Sequence, residues 1–257
     1  MKLRTTYSFL GFILLLLSCG GEHQQDSTQT QTAEHWINKA IEAHGSDALE
    51  HAEVIFTFRE ADYLVKKDGH DFYYQRQQVD TSGRRIIDQV WPDSTYRTID
   101  GKRQLLTPKK ANAISESIHS VVYFAFLPQA LKDPAVQSAY IDQTQVKGEM
   151  YHRIKVTFDE ENGGQDHEDE YLYWIHDTKH TLDYLAYNFQ VNGGGARFRA
   201  AENPREIANV RFQDYKNYKP VDEGKELMRL DSLYEQDTLE LVSEIQLQNI
   251  EVAIVKE

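Results

Sequence analysis

Several stretches of this chain alternate large apolar or aromatic residues with polar ones, a two-residue period typical of half-buried β-strands. The first begins at Val54, Phe56 and Phe58. Asp68-Gly69 and Ser82-Gly83 are typical turn residues and separate such stretches. We therefore predict an antiparallel meander in the first half of the chain. Its strands are expected at 54–59, 70–79, 84–90 and 94–99.

The second half of the chain returns to the same pattern. We predict further strands at 150–159, 171–176, 181–191, 205–215 and 239–247. In the third of these, Leu185, Tyr187 and Phe189 are expected on one face, and Leu182 and Tyr184 on the other. A one-sided sheet would alternate apolar with polar residues, whereas both faces here are partly apolar. Either protein layers pack on both faces, or one face contacts an apolar ligand.

Three helices are predicted between these strands. The first spans 33–44, where Trp36, Ile37, Ala40 and Ile41 form one apolar face and Gly45 ends the helix. The second spans 108–126 and begins at a proline, which suits the first helical position. Its latter half (VVYFAFL) is apolar on nearly every side, which suggests insertion into a concavity. A third helix is expected at 223–234.

The N-terminus has the layout of a secretory signal. Lys2 and Arg4 precede an apolar run at 7–17, which is too short to span a membrane. The following Leu16-Leu17-Ser18-Cys19 resembles a lipobox, at which bacterial lipoproteins are cleaved after lipidation of the cysteine. We therefore predict a signal peptide at 1–18, lipidation at Cys19 and a flexible tether at 19–32, because the residues after the cysteine are polar. Gly20 favours the outer membrane.

Cysteine content and charge limit the possible functions. Cys19 is the only cysteine of the chain, so the mature protein has no internal disulfide or cysteine nucleophile. The net charge is −13, and removal of Lys2 and Arg4 makes the remaining chain two charges more acidic. Because nucleic acid attracts basic surfaces, we expect no nucleic-acid partner. The predicted partners are the membrane, through the lipid, a lipid or apolar ligand, and an envelope protein.

Two motifs were weighed as metal sites. The acidic loop 159–170 places Gly164 and Glu170 at the sixth and twelfth positions of a calcium loop, but its flanks are predicted strands. His176 and His180 are four residues apart, a spacing that would bring them together only on a helix. We interpret the loop as a solvated hairpin and the histidines as two exposed turn residues. No metal or cofactor is predicted.

A glycine-rich stretch at 192–195 precedes Arg197, Arg199 and Arg205. No helix is expected after it, so it lacks the strand-to-helix geometry of a phosphate loop. The three arginines concentrate positive charge in an acidic protein. They either bind an anionic headgroup or acid ligand, or pair with local carboxylates. No serine nucleophile motif is present, and no catalytic residue is predicted.

Five segments carry a family resemblance: 39–45, 151–158, 171–177, 182–189 and 197–207. They resemble an uncharacterised family of bacterial envelope lipoproteins. The overall pattern is also similar to lipoprotein carriers of the LolA and LolB type, which are unclosed antiparallel half-barrels with helices in the concave face. The resemblance implies that this concave face holds acyl chains. It implies for this chain a single α+β domain at 33–257, a curved antiparallel sheet covered by two or three helices.

The resulting functional prediction is a non-enzymatic envelope lipoprotein that binds an apolar or lipid-like ligand in the concavity, with residues 121–126 as its lid. Two alternatives remain open: an interaction scaffold for an envelope protein, and a hydrolase that uses two facing carboxylates. An empty apolar pocket on the concave side would favour ligand binding, and packed side chains would favour the scaffold. The predicted ligand-binding residues are Val121, Val122, Phe124, Phe126, Tyr184, Tyr187, Phe189, Arg197 and Arg199.

Overall fold

A computed structural model describes residues 32–69, 71–159, 169–190, 193–222 and 226–255, all of which belong to one compact unit. The predicted signal peptide, Cys19 and all but the last residue of the tether lie outside the described residues, as does most of the acidic loop. Within the described ranges, no helix is both long enough and apolar enough to cross a membrane.

The described residues form three α-helices and fourteen strands. The helices are α1 (Ala33–His44), α2 (Pro108–Ala125) and α3 (Leu230–Glu235). The strands of the first half are β1 (His51–Phe58), β2 (Ala61–Asp68), β3 (Asp71–Val79), β4 (Arg85–Trp91), β5 (Ser94–Ile99) and β6 (Lys102–Arg103). Those of the second half are β7 (Val136–Val146), β8 (Glu149–Phe158), β9 (Tyr171–His176), β10 (Leu182–Phe189), β11 (Gly195–Ile207), β12 (Val210–Lys219), β13 (Glu240–Ile245) and β14 (Leu247–Ile254).

The strands form two antiparallel sheets of seven strands each. Sheet A has the order β14-β1-β2-β3-β4-β5-β6, and sheet B has the order β13-β12-β11-β10-β9-β8-β7. Only Gln246 separates β13 from β14, so one C-terminal segment forms an edge of both sheets. Neither sheet closes on itself. The predicted α+β class, a curved unclosed antiparallel sheet with covering helices, is confirmed.

Polar residues fix the junction between the two sheets. One carboxylate oxygen of Asp214 accepts hydrogen bonds from the Leu247 backbone N–H (3.1 Å) and from Arg205 (3.0 Å). Arg205 also donates to the Leu247 carbonyl oxygen at 2.5 Å. The first residue of β14 is therefore held by both partners of an ion pair on β11 and β12.

Helix α1 has the predicted bounds, and local chemistry fixes both ends. Thr32 accepts a hydrogen bond from the His35 backbone N–H, which satisfies a free donor of the first turn. Gly45 ends the helix in the left-handed conformation, with φ of 59°. A Cβ atom at this position would lie 2.1 Å from the Asn209 carbonyl oxygen, so only glycine fits. The apolar face of α1 packs against sheet B, in one cluster with β8, β9 and β10.

Helix α2 contacts both sheets, which explains why its latter half is apolar on nearly every side. Ile114, Ile118 and Val122 pack in the core cluster of sheet A. Tyr123 and Phe124 pack instead against the cluster of sheet B. We call the sheet faces that contact α1 and α2 the inner faces.

The outer face of sheet B is covered as well. A short 3₁₀ helix at Leu227–Arg229 and helix α3 pack over Trp174 and Phe198. The indole of Trp174 donates to Asp231 of α3 at 3.2 Å. All six residues of β9 are buried for this reason. Protein layers on both faces thus account for much of the two-sided apolar character of the central strands.

Several predicted boundaries are wrong. The predicted strand 205–215 is a hairpin of β11 and β12 that turns at Ala208 and Asn209, both with positive φ. The predicted closing strand 239–247 is two strands, β13 and β14. Strands β2 and β7 were not predicted. In the described part of the predicted helix 223–234, helical structure begins only at Leu227, as a 3₁₀ turn before α3.

Two side-chain predictions are also wrong. Leu182 lies on the inner face with Leu185, because the β9–β10 register shifts between Leu182 and Tyr184 and reverses the alternation. His176 is not an exposed turn residue, since only 2% of its surface is accessible. Its Nδ1 accepts hydrogen bonds from the backbone N–H groups of Thr178 and Lys179, both at 3.2 Å, and so stabilises the turn that follows β9.

Candidate functional site: a cavity between α2 and both sheets

A cavity of about 460 Å³ lies on the inner side, between α2 and residues of both sheets. Its volume is within the range of small-molecule pockets, which is roughly 300–1,000 Å³. Helix α2 contributes Val121 and Phe124, and sheet A contributes Phe58 and Leu247. The lining is completed by Arg59, Ser117, Ser120, Ala125, Asp169, Tyr171, Tyr187, Phe189, Arg197, Arg199, Gln213, Tyr215, Asn217 and Ile245.

Aromatic rings form much of the apolar wall. Tyr171 and Tyr187 are stacked on neighbouring strands, with ring centroids 5.6 Å apart and planes 20° apart. Phe124 of α2 lies 5.5 Å from the Tyr187 ring, and Phe189 lies 6.3 Å from it. The helix and sheet B therefore meet through aromatic rings on one side of the cavity.

The strand register places a polar row within this apolar surface. Arg199 of β11 is directly opposite Asn217 of β12, and Asn217 is opposite Ser243 of β13. Directly paired residues on one face have Cβ atoms about 4.5–5.5 Å apart. The Asn217 Nδ2 donates to the Ser243 hydroxyl at 3.2 Å. Asn217 Oδ1 is buried and has no hydrogen-bond partner among the residues that the structure describes.

Arg199 is the most buried cation of the cavity, with only 8% of its surface accessible. Its guanidinium carbon lies 3.9 Å from the Phe124 ring centroid and 5.1 Å from that of Tyr187. One terminal nitrogen donates to the Tyr187 hydroxyl at 3.0 Å. The buried Nε has no hydrogen-bond partner within the described ranges. Stacking thus orients the guanidinium, while one of its N–H donors has no partner in the described structure.

Gln213 is another polar residue of the cavity lining. Gln213 donates to the Tyr215 hydroxyl at 2.8 Å and to the Leu182 carbonyl oxygen at 2.7 Å, so its amide N–H groups are used within the protein. Burial raises the pKa of Tyr215 to about 12, which keeps this phenol neutral. Tyr215 therefore contributes no negative charge to the cavity.

The structure brings six predicted ligand-binding residues together and separates three. The six that line the cavity are Val121, Phe124, Tyr187, Phe189, Arg197 and Arg199. Val122 and Phe126 lie on the opposite side of α2, in the core cluster of sheet A. Tyr184 lies on the outer face of sheet B beside Phe198 and α3, because it is an odd number of residues from Tyr187.

The three arginines that follow the glycine-rich stretch have different environments. Arg205 forms an ion pair with Asp214, which agrees with the alternative that these arginines pair with local carboxylates. Arg197 lies over the Phe189 ring at 4.8 Å and donates to the Ala196 carbonyl oxygen. Arg197 and Arg199 share the cavity because residues two apart on a strand lie on one face.

Several lining residues were missed in the sequence. Gln213, Tyr215 and Asn217 alternate along β12, and this period-two pattern would have placed all three on one face. This pattern was overlooked because residues 205–215 were predicted to form a single strand, whereas β12 begins only at Val210. Phe58 and Leu247 were missed for another reason. They line the cavity only because of the way in which the two sheets meet, and no local sequence pattern predicts that arrangement.

Two other cavities were compared with this one. A cavity of about 390 Å³ lies across α2 beside Lys67, His119 and Gln129. Lys67 donates to Gln129, and Gln129 donates to Glu50, so these three polar side chains are hydrogen-bonded within the protein. A third, of about 490 Å³, lies beside Leu172 and Leu227 on the outer face of sheet B. Arg199 and Asn217, which each carry a buried polar atom without a partner in the described structure, both line the 460 Å³ cavity.

The fold and the cavity define a class of protein: two unclosed antiparallel sheets with a helix between them and a cavity beside that helix. A family model described as a family of unknown function, DUF6503, matches residues 8–247. Since this match covers most of the chain, the protein belongs to that family, as the resemblance to an uncharacterised family indicated. A search of curated proteins gives no match.

Three matches among solved structures have low sequence identity to this chain. A DUF1329 family protein from Desulfovibrio piger is 10% identical, with a TM-score of 0.49, over 89% of this chain and 96% of that one. A LolA superfamily protein from Nitrosomonas europaea is 12% identical, with a TM-score of 0.47, over 87% and 92% of the two chains. The lipoprotein LppX from Mycobacterium tuberculosis is 13% identical, with a TM-score of 0.28, over 63% and 88%.

Proposed function

We propose that this protein is a lipid-anchored envelope protein that binds an apolar or lipid-like ligand in the cavity between α2 and the two sheets. The observation that carries the proposal is the cavity itself, because α2 and the sheets leave about 460 Å³ unfilled beside Phe124, Tyr187 and Phe189. Small-molecule pockets are typically clefts or cavities of roughly 300–1,000 Å³ that combine aromatic walls with a few polar groups. A space of this size with aromatic walls therefore supports ligand binding.

The two alternatives receive less support from the cavity. The scaffold hypothesis expected the inner side to be filled with packed side chains, whereas a space remains there. The hydrolase hypothesis requires two facing carboxylates. Within the described part of the lining, Asp169 is the one carboxylate side chain, so that pair is missing from this cavity.

The envelope location rests on the N-terminal sequence. A lipid on Cys19 would hold the domain at a membrane surface, where a carrier meets its ligand. Cys19→Ala is expected to move the protein from the membrane fraction to the soluble fraction without unfolding it. A Cys19→Ala protein that stays in the membrane fraction would contradict the anchor.

Ligand binding is tested by uptake of a fluorescent fatty acid into the detergent-free domain. We expect saturable binding to the wild-type domain. Val121→Trp adds a ring to the cavity wall, so we expect it to reduce uptake roughly tenfold, while the protein still unfolds cooperatively. Native mass spectrometry of the same protein, expressed in cells, should detect bound lipid.

The matched control is Ala113→Trp, an equally large substitution at an exposed position of the same helix that does not line the cavity. We expect uptake to be unchanged in this variant. Absence of both bound lipid and fatty-acid uptake in the wild-type domain would contradict the proposed function. Equal uptake by both tryptophan variants would place binding elsewhere on the protein.

A further inference from the structure

Arg199 is a buried cation with an unused donor, and it lies in the lining of a cavity that has both aromatic and polar walls. Its Nε has no partner within the described ranges, and 92% of the residue is removed from solvent. A buried hydrogen-bonding group without a partner costs free energy, and the cost is greater for a charged group. An acceptor supplied by a ligand would remove this cost.

Asn217 adds a second unused group beside the first. It is opposite Arg199 in the strand register, it is 8% exposed, and its Oδ1 has no partner among the described residues. Its Nδ2 is hydrogen-bonded to Ser243, whose hydroxyl can both donate and accept. A half-turn of the amide therefore keeps the bond to Ser243 and moves Nδ2 to the present position of Oδ1, on the residue paired with Arg199. Arg199 and Asn217 can then donate to the same acceptor.

The described lining of the cavity has a charge opposite to that of the protein. The chain as a whole has a net charge of −13, yet within the described part of the lining Arg59, Arg197 and Arg199 lie beside one carboxylate, Asp169. The guanidinium of Arg199 is planar and presents its N–H groups as a fork, which suits the two oxygens of a carboxylate. The favoured headgroup is therefore small and anionic.

The volume of the cavity suits one alkyl chain. A water molecule occupies about 30 Å³ in the liquid, and a methylene group is of similar size, so the space holds roughly fifteen such groups. We propose that Arg199 and Asn217 bind the carboxylate of a single-chain fatty acid, whose chain lies against Phe124, Tyr187 and Phe189. This inference rests on the proposed function and specifies the ligand of the same cavity.

The test compares three probes with one chain: dodecanoic acid, dodecan-1-ol and dodecyl phosphate, each displacing a fluorescent fatty acid from the detergent-free domain at neutral pH. We expect the acid to bind roughly tenfold or more tightly than the alcohol, as hydrogen bonds to a charged group imply. Tighter binding of the phosphate than of the acid would overturn the carboxylate assignment.

Arg199→Gln identifies the group responsible. We expect it to weaken binding of the acid roughly tenfold and to leave binding of the alcohol within about twofold, which shows that the cavity is intact. Asn217→Ala is the second variant, with a several-fold loss for the acid, should Arg199→Gln fail to fold. Arg229→Gln is the matched control, because Arg229 is exposed on the other side of sheet B and pairs with Glu226.

The outcomes separate this inference from the proposed function. If acid and alcohol bind the wild-type protein equally, the cavity binds apolar chains and the assignment of Arg199 is overturned. If neither binds, the proposed function and this inference fall together. A loss of acid binding in Arg229→Gln equal to that in Arg199→Gln would also overturn the assignment, since general charge would then explain it.

Discussion

The guanidinium of Arg199 on β11 lies 3.9 Å from the ring centroid of Phe124 on α2. This contact joins the helix to sheet B at the wall of the cavity. A cation over an aromatic face contributes about 0.5–1 kcal/mol when exposed and about 2 kcal/mol when desolvated. Because Arg199 is buried, the larger value applies, and the contact both orients the cation and fixes this part of α2.

A double-mutant cycle tests this coupling. Arg199→Met and Phe124→Leu keep most of the apolar volume, so their combined effect on the free energy of unfolding should fall short of the sum by about 1–2 kcal/mol. Urea denaturation of the four proteins gives the value. Additive effects would show that the stacked geometry contributes nothing to stability. The cycle Arg199→Met with Phe72→Leu, a position of β3 that does not line this cavity, is the control, with additivity expected.

Tyr123 and Tyr173 form the second link between α2 and sheet B. Their hydroxyl oxygens are 2.6 Å apart, and burial raises the pKa of both phenols. Tyr123→Phe leaves the Tyr173 hydroxyl buried with no other hydrogen bond in the described structure. We expect a loss of about 1–3 kcal/mol of stability.

The double variant Tyr123→Phe with Tyr173→Phe is the control for this prediction. It removes both polar groups, so it should be less destabilised than the sum of the two single variants, as measured by urea denaturation. A double variant whose loss equals that sum would contradict the account.

His44 makes stability depend on pH. Burial, with a smaller effect of the Arg211 charge, lowers the pKa of His44 to about 3, while its Nε2 accepts a hydrogen bond from the Leu182 backbone N–H. The unfolded chain takes up a proton near pH 6.5 and the folded protein does not. Stability should therefore fall as the pH decreases from about 6.5 towards 3, by up to about 1.4 kcal/mol per pH unit.

His44→Gln removes this titration and should flatten the acid slope of the unfolding free energy, measured by urea denaturation at several pH values. If the slope of His44→Gln matched that of the wild type, the histidine would not be the group responsible.

The elements of the fold that could be predicted are those with a clear local sequence pattern. Helix α1 has an apolar face, a threonine cap and a terminal glycine, and its predicted bounds are correct. Strand β7 has a largely exposed surface and few apolar positions, so it offered little periodic signal. Strand β2 did alternate, at Ala61, Tyr63 and Val65, but the charged residues that follow them obscured it.

Residues of the candidate site could be predicted only where they lie together on a single strand or helix. Arg197 and Arg199 share a face because they are two residues apart, and Phe124 was found through the apolar end of α2. Which face of the helix lines the cavity depends on the position of the two sheets. Val122 and Phe126 were therefore grouped with Phe124, although a helix turns about 100° per residue and directs them elsewhere.

The most direct test of the proposed function is a crystal structure of the domain with 12-bromododecanoic acid. The account predicts anomalous density for bromine among the apolar residues of the cavity, with the carboxylate within hydrogen-bond distance of Arg199. Bromine bound on the outer face of sheet B, or an empty cavity at saturating ligand, would contradict it.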